Sequence, residues 1–411
     1  MTRATIRLLV CCTAALPAFA IAQSVTLYGA MMPFADMITT RGASAFVTGE
    51  RATQAVAERF TGATVPRTAR LTSGSSHLGL RGEEPLRAGW RAIFQIESPS
   101  PVDGATVPPS LLAGRNTHVG IAGPFGTLFV GNWDTPYKVI WIDIVPTPGL
   151  NSFDNALSGN PGFGVPGTTT QGGRVNGPAD AAFNRRQGNS VQYWTPEFGG
   201  ASARLAYSPA ENAGAAEPGG PLVRPELGSL AVQWRSGALT VRYAYELHRD
   251  YFGMSQLGGS RGATASNPSS RDDAHGLAAV VRFGDTRLSA MVDRLRYRTD
   301  DAIAGAVREY RRTAWYALAQ QYFGPHQAWV AVGRANDGSC SRVGGAACTT
   351  GGLAGVQYSA GYQYAFSRRT NAYVAYYGMR NDASASYATL GQPAAPGADT
   401  RGAGIGLMHI F

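Results

Sequence analysis

An all-β fold is what this 411-residue sequence predicts: a transmembrane, antiparallel, up-and-down β-barrel. Three observations carry that expectation. Short segments alternate apolar and polar residues with a period of two, and the turns between them alternate between short and long. Beyond the N-terminus no apolar run reaches the length a membrane-spanning helix needs.

The first residues stand apart. Arg3 and Arg7 precede an apolar run over residues 8–20, and Ala20-Ile21-Ala22 supplies the small-x-small pattern of a cleavage site. Residues 1–22 therefore read as a secretory signal peptide, and 23–411 as one barrel domain. The composition fits a barrel better than a soluble chain of two or three domains. Glycine (52) and tyrosine (18) are abundant, charged residues make up 15%, and mean hydropathy is −0.13. That blandness is expected when only alternate residues face lipid.

Alternation is plainest late in the chain. Leu239, Val241, Tyr243, Tyr245 and Leu247 interleave with Thr240, Arg242, Ala244, Glu246 and His248. Val356, Tyr358, Ala360, Tyr362, Tyr364 and Phe366 interleave with small or polar residues, as do Ala403, Ile405, Leu407, His409 and Phe411. Short turns read Gly123-Pro124-Phe125-Gly126, Pro196-Glu197-Phe198-Gly199-Gly200, Ser236-Gly237, Gly284-Asp285, Gly324-Pro325-His326 and Ser367-Arg368-Arg369-Thr370. Long loops are expected over 41–73, 99–114, 136–187, 209–225, 251–272, 337–352 and 381–398. Segments counted this way number about sixteen, and an even number returns both termini to one side. Around Asp293-Arg294 the alternation breaks, which a bulge or an extension beyond the bilayer would produce. Tyr362, Tyr364, Phe366, Tyr322 and Phe323 are candidates for an interfacial aromatic girdle.

Charge and cysteine usage exclude several functions. The net charge is +9, or +7 once Arg3 and Arg7 are removed, and Lys138 is the sole lysine. The arginines are scattered singly along alternating strands, with no basic run and no aromatic-basic motif, so nucleic acid is not an expected partner. Arg204, Arg235, Arg242 and Arg282 each fall on the polar parity of a strand, as residues lining a water-filled lumen would. Cys11 and Cys12 leave with the signal. Cys340 and Cys348 flank a short Gly/Ser-rich loop and suggest a disulfide, a metal pair being the weaker alternative with no His or acidic partner between them. No phosphate loop, paired metal ligands or nucleophile elbow is present, so no catalytic residue, metal or cofactor is assigned and the chain is not expected to be an enzyme. A phospholipase-type barrel would need Ser and His together on the lipid side; His409 has no such companion.

Ser24-Val25-Thr26-Leu27-Tyr28-Gly29, Ser75 through Glu83, Ala92 through Ser98, Val119-Gly120-Ile121-Ala122-Gly123, Asn189-Ser190-Val191-Gln192-Tyr193 and the final Gly404 to Phe411 occur in the order seen in Gram-negative general porins. The chain resembles that family, in its β-proteobacterial form, over the whole mature length. The resemblance implies an outer-membrane channel for passive diffusion of ions and small hydrophilic solutes, with the third loop (136–187) folded into the lumen. That loop carries Asp143, Asp154 and Asp180 among Trp141, Phe153, Phe163 and Phe183.

The resemblance also implies a constriction at Arg115 and Arg186 with Glu97 facing them. His77 and Asn132 stand where the family commonly has arginine. An unperturbed imidazole is mostly neutral above pH ~7, so His77 removes a permanent charge. Arg186 shares the parity of Ser190 and Gln192. The terminal Phe411 is similar to the signal read by the barrel assembly machinery. Other partners implied are outer-membrane lipid and lipopolysaccharide, and two further copies of the chain in a homotrimer, with Gly79, Gly120 and Ala122 compatible with lipid-side packing. The expected function is a channel of weak anion preference. Alternatives are a substrate-specific channel, or a non-conducting barrel acting as adhesin or receptor.

Overall fold

The computed structural model describes residues 24–43, 65–104, 112–142, 144–146, 157–163, 182–210, 214–215, 220–388 and 395–411. The expected signal peptide lies outside them. No described helix is long and apolar enough to cross a membrane, and the chain crosses with strands instead.

Sixteen antiparallel strands close into a barrel. Three of them are interrupted, the first, the second and the thirteenth. The first, β1, runs as Ser24–Met31 and, past Met32-Pro33, Phe34–Arg41. The second, β2, runs as Val65–Thr72 and His77–Pro85. There follow β3 (Arg91–Pro99), β4 (Thr117–Gly123), β5 (Gly126–Asp134), β6 (Arg186–Trp194), β7 (Ala201–Ser208) and β8 (Glu226–Ser236). Next come β9 (Leu239–Arg249), β10 (Ser270–Phe283), β11 (Thr286–Thr299) and β12 (Val307–Phe323). The last four are β13 (His326–Ala335, continued at Ser339–Arg342), β14 (Gly355–Ala365), β15 (Thr370–Asn381) and β16 (Asp399–Ile410). Each pairs with its neighbour in sequence, and β16 also pairs with β1, as in Phe34↔Gly406 and Arg41↔Asp399.

Turn sizes alternate as the sequence implies, with one short turn and one loop that its pattern did not disclose. Leu86 to Trp90 joins β2 to β3 through a 3-10 turn at Arg87–Gly89. Residues 300–306 join β11 to β12. Strand structure also enters expected loops at Val65–Thr72 and Ser339–Arg342, where side-by-side pairing with β1 and β12 continues, and at Gly214–Ala215 and Leu222–Val223, which pair with each other.

The period of two sorts side chains to the two faces. On β11, Leu288, Ala290 and Val292 point outward while Arg287, Ser289, Met291 and Asp293 are buried inside. No bulge occurs at Asp293-Arg294: the register against both neighbours is continuous. The outward face simply changes from aliphatic residues to Arg294, Arg296 and Arg298, so the strand outruns the lipid band. Tyr362, Tyr364, Phe366 and Phe323 face outward near short turns, where a girdle belongs. Tyr322 instead shares the inward row of Gln327. Gly79, Gly120 and Ala122 also face inward, against Tyr28, Phe129 and Arg91, so the small-residue argument for lipid-side packing fails on parity.

Closure is secured across β16. Its inward residues Gly402, Gly404 and Gly406 leave a trough over which side chains of β15 reach β1. The Tyr373 ring crosses Gly406 and stacks on Phe34 at 5.6 Å. The Tyr377 hydroxyl passes Gly402 to donate to Asp36. Arg70 of β2 completes the seam with two bonds to Asp36 (2.7 and 3.0 Å) and one to Tyr377 (3.1 Å). At the other end of the seam Phe411 exchanges both backbone bonds with Gly29 (3.1 Å each), and its ring occupies the space a side chain on Gly29 would fill.

A Cβ on Gly404 would overlap the Ala35 carbonyl oxygen and the Asp36 Cβ, whereas Gly228 has open space. Gly404→Val is therefore expected to abolish the folded, heat-modifiable species on unboiled gels, and Gly228→Ala to retain it. Normal folding of the Gly404 variant would contradict the seam assignment.

Candidate functional site

The inner wall divides into two regions. Over β8 to β12 small and aromatic inward residues stand among a few buried charged ones, and the described parts of the 136–187 segment pack on them. A short helix, α1 (Pro136–Ile142), opens with Pro136 in its first turn, where the missing N–H costs nothing, and Thr135 accepts from the Lys138 amide at 3.3 Å. The Tyr137 amide donates to Ser229 Oγ (3.0 Å), and Ile140 fits where Gly276 has no side chain. Ala231, Ala244, Ala274 and Ala278 join Tyr137, Ile140 and Trp141 in one buried cluster. Small inward residues on three adjacent strands thus form the seat for the helix.

Further along, an ion pair inside the barrel holds the segment. Arg312 of β12 and Asp293 of β11 meet at 2.9 Å, and both side chains are fully buried. Asp293 also accepts from the Gly159 amide (2.8 Å), while Arg312 donates to the carbonyls of Leu157 (2.5 Å) and Asn160 (3.1 Å). Each charge is spent on its partner and on loop backbone. Phe163 packs edge-on to Tyr310 (5.3 Å), and Phe183 stacks on His248 (4.4 Å), which bonds Glu246 at 2.9 Å. Asp143, Phe153, Asp154 and Asp180 lie outside the described residues.

The second region, over β1 to β6, carries the charged network. Glu97 receives Arg115 Nε at 2.6 Å and the Tyr28 hydroxyl at 3.0 Å. His77 Nδ1 donates to the Ser75 carbonyl (2.8 Å), so its Nε2 is the atom turned to Glu97, 3.8 Å away. Arg81 lies over the Tyr28 ring at 5.1 Å. Next to Arg115, Asn116 links Arg186 (2.6 Å) to Asp134 (2.9 Å), and Asp134 also holds Lys138 of α1 at 2.9 Å. Arg186 itself comes to 3.4 Å from Asp134.

His77, Glu97, Arg115 and Arg186, singled out from the sequence, thus fall in one connected network. Lys138, Asp134, Asn116 and Tyr28 belong to it too and were not singled out. The spacing of Lys138 four residues after Asp134 at a helix start was the one local signal that would have found that pair. Arg186 does not arrive by strand parity. Asn189 sits in the left-handed region (φ 49°), and the β5/β6 register shifts between Gly131 and Trp133, which breaks the count from Ser190. Asn132 does not front the network as an arginine would; its Nδ2 donates to the carbonyls of Gly114 and Arg115 (3.0 Å each) and fixes the Arg115 backbone.

The other expected lumen arginines are on inward rows. Arg204 lies over the Trp194 ring (4.3 Å), Arg242 donates to Gln233 (2.7 Å), and Arg282 is paired in register with Arg287. Arg235 sits at the short-turn rim, half exposed, 3.8 Å from Glu197. A disulfide joins Cys340 and Cys348 in the loop that follows β13.

Breaking a buried pair strands the surviving charge, at about 3–5 kcal/mol, whereas replacing both partners costs less. Arg312→Leu alone is accordingly expected to lower thermal stability in detergent more than Arg312→Leu with Asp293→Leu. It should also open the 157–163 segment to protease. Equal melting of the two variants would show that the pair carries no such role.

Comparison with known proteins agrees with this geometry. A family model described as Gram-negative porin matches residues 8–384. Major outer membrane protein P.IB of Neisseria gonorrhoeae is 27% identical over 201 residues, 49% of this chain and 47% of that protein. P.IA of Neisseria meningitidis is 24% identical over 83% of each chain. The chain thus spans about half the length of the first curated relatives it matches. Among solved structures, the anion-selective porin from Comamonas acidovorans superposes with a TM-score of 0.66 at 18% identity, covering 95% of this chain and 100% of that one. The outer membrane protein OmpT of Vibrio cholerae, in its loop L8 deletion form, gives 0.57 at 13% identity over 95% and 100%. The closed sixteen-stranded barrel and the family match over most of its length make this chain a member of the Gram-negative porin family, a multi-pass protein of the outer membrane.

Proposed function

We propose that the protein is a water-filled channel for passive diffusion of ions and small hydrophilic solutes, with weak anion preference. One observation carries the reading. Among the described residues, the network on β1 to β6 gathers Arg81, Arg115, Lys138 and Arg186 around Glu97 and Asp134, so cations outnumber carboxylates four to two. In a narrow, low-dielectric passage such an excess raises the local anion concentration. It is only an excess of two, which is why the preference is weak. The arginine rows at Arg204, Arg242, Arg282 and Arg287 extend the same sign along the wall toward the short-turn rim. Likeness to an anion-selective porin supports the same sign. The segment 136–187 narrows the passage in this reading, and the homotrimer is its assembled form.

Reversal potentials across a salt gradient in a planar bilayer test the proposal. Anion preference is expected, rising with Glu97→Gln and falling with Arg186→Ala. Cation preference, or indifference to Arg186→Ala, would sink the arginine reading, and absence of conductance would favour a non-conducting receptor barrel.

Lys138 gives the selectivity a pH dependence. Enclosure between α1 and the wall lowers its affinity for a proton, and Asp134 only partly restores it. Its charge is therefore lost at lower pH than that of an exposed lysine, while the arginines stay charged. Anion preference should decline on alkaline titration and lose that dependence in Lys138→Met.

A further inference from the structure

On β4 to β6, directly below the charged network, the inner wall carries a cluster of rings that the channel reading does not use. Trp133 precedes Asp134, and His118 lies two residues after Asn116, so both rings stand at the edge of that network. His118, Phe129, Trp133 and Trp194 meet edge-on or tilted, with ring centroids 4.8 to 5.7 Å apart. Phe129 backs the cluster, buried over the bare backbone of Gly120. His118, Trp133 and Trp194 are only partly covered.

That partial exposure sets the cluster apart. The inward rings of Tyr297, Tyr310, Tyr316 and Trp329, on β11 to β13, are by contrast at most 4% exposed. Phe163 of the inserted segment packs on two of them, Tyr297 and Tyr310. Large rings left uncovered on the lumen side of a barrel gain little from burial, and apolar clusters of this kind in concave places mark ligand contacts.

A cation borders the cluster at its lower end. Trp194 pairs in register with Arg204 of β7, whose guanidinium lies over the indole at 4.3 Å. Stacking of this kind uses the flat face of the guanidinium. Its N–H donors lie in the plane and point sideways, the direction from which a carboxylate is met. Beside Arg204 a recess of about 70 Å³ is lined by Ser202, Gln233 and Arg242 as well. The indole N–H of Trp194 donates to Gln192 at 3.3 Å, so what the ring offers a solute is carbon surface.

We propose that this stretch of wall is a subsite for planar aromatic carboxylates, the solutes whose two parts match it. The solute ring meets Trp133 and Trp194 in offset or edge-on contact, and its carboxylate turns to Arg204 and the polar recess. A small inorganic anion meets the cation alone. A neutral sugar meets the indoles but brings no charge to Arg204. The subsite depends on the channel reading only for the route by which its ligand arrives, and it names the class of organic anion which that route retains.

The test uses the purified full-length protein in a planar bilayer and two probes, benzoate and cyclohexanecarboxylate, which share charge and near-equal size and differ in the aromatic face. Benzoate should block the potassium chloride current at about three- to tenfold lower concentration than cyclohexanecarboxylate, the range that one or two ring contacts supply. Trp133→Leu/Trp194→Leu should bring that ratio close to one, and Arg204→Gln should weaken both acids alike. Trp315→Leu, whose ring is on the outward face, should leave the ratio as in the wild type. If the double variant fails to fold, Trp133→Leu alone is expected to lower the ratio about twofold on the same grounds. Equal block by the two acids in the wild type, an unchanged ratio in the tryptophan variants, or indifference to Arg204→Gln overturns the proposal. Absence of current in potassium chloride alone would count against the channel reading only. Equilibrium dialysis of the two acids against the same protein in detergent then reads the ratio, with the same outcomes deciding.

Discussion

Closure of the sheet between its last strand and its first is the constraint on which everything else depends. A strand edge facing lipid would leave a row of backbone N–H and C=O groups with no partner, at several kcal/mol each, so an open sheet has no stable place in a bilayer. This chain meets the requirement with main-chain pairing between β16 and β1 and then locks the joint from inside. Three inward glycines clear a trough, two tyrosines lie across it, and Asp36 is held at once by Tyr377 and Arg70. The packing at the seam therefore joins four strands, β15, β16, β1 and β2, rather than two. On the outside, Phe411 settles on the bare backbone of Gly29. The terminal aromatic so has a structural use in the finished barrel besides any part in its assembly.

Once the sheet is closed, its inner face has to be filled or wetted, and the sequence divides the two tasks between two arcs of wall. Over β8 to β12 small and aromatic inward residues pack against α1 and the 157–163 segment as a buried layer. Beside the Glu246–His248 pair, the buried Arg312–Asp293 pair is a polar exception within that layer. It is tolerated because both charges also meet loop backbone, so neither is left without partners in a poorly solvated place. Over β1 to β6 the inward positions include the charged network, whose basic side chains are less buried than Arg312. Lys138 joins the two arcs: its helix belongs to the buried layer, while its ammonium reaches Asp134 in the charged one. The helix packed against the wall of β8 to β10 thereby also places a charge in that network.

Pairing of opposite charges inside the barrel tempers the basic composition. Arg70, Arg115, Arg186 and Arg312 each meet a carboxylate. Much of the excess positive charge of the chain therefore acts elsewhere, on the arginine rows toward the short-turn rim and on the outward arginines of β11. A count of arginines per strand gives no means of separating these groups. Parity does better, and it placed Arg204, Arg235, Arg242 and Arg282 on inward rows. Parity fails wherever the backbone gains a residue, as at Asn189, or where the outward face leaves the lipid, as at Arg294.

The sequence by itself determined the barrel, its even strand number and the alternation of turn sizes. Period-two patterning and turn chemistry are local properties, written within a few consecutive residues. It also marked His77, Glu97, Arg115 and Arg186, because a resemblance to known porins singled them out. Only the tertiary structure decided what those residues touch. Glu97 and Arg115 are close in sequence, but Arg312 meets Leu157 and Asn160, and Tyr377 meets Asp36, across separations that no local pattern encodes. The breaks in β1 and β2, the bulge before Ser190 and the point where β11 outruns the bilayer shift which side chains face water, lipid or one another. These depend on register between strands, and register is set only when the sheet has closed.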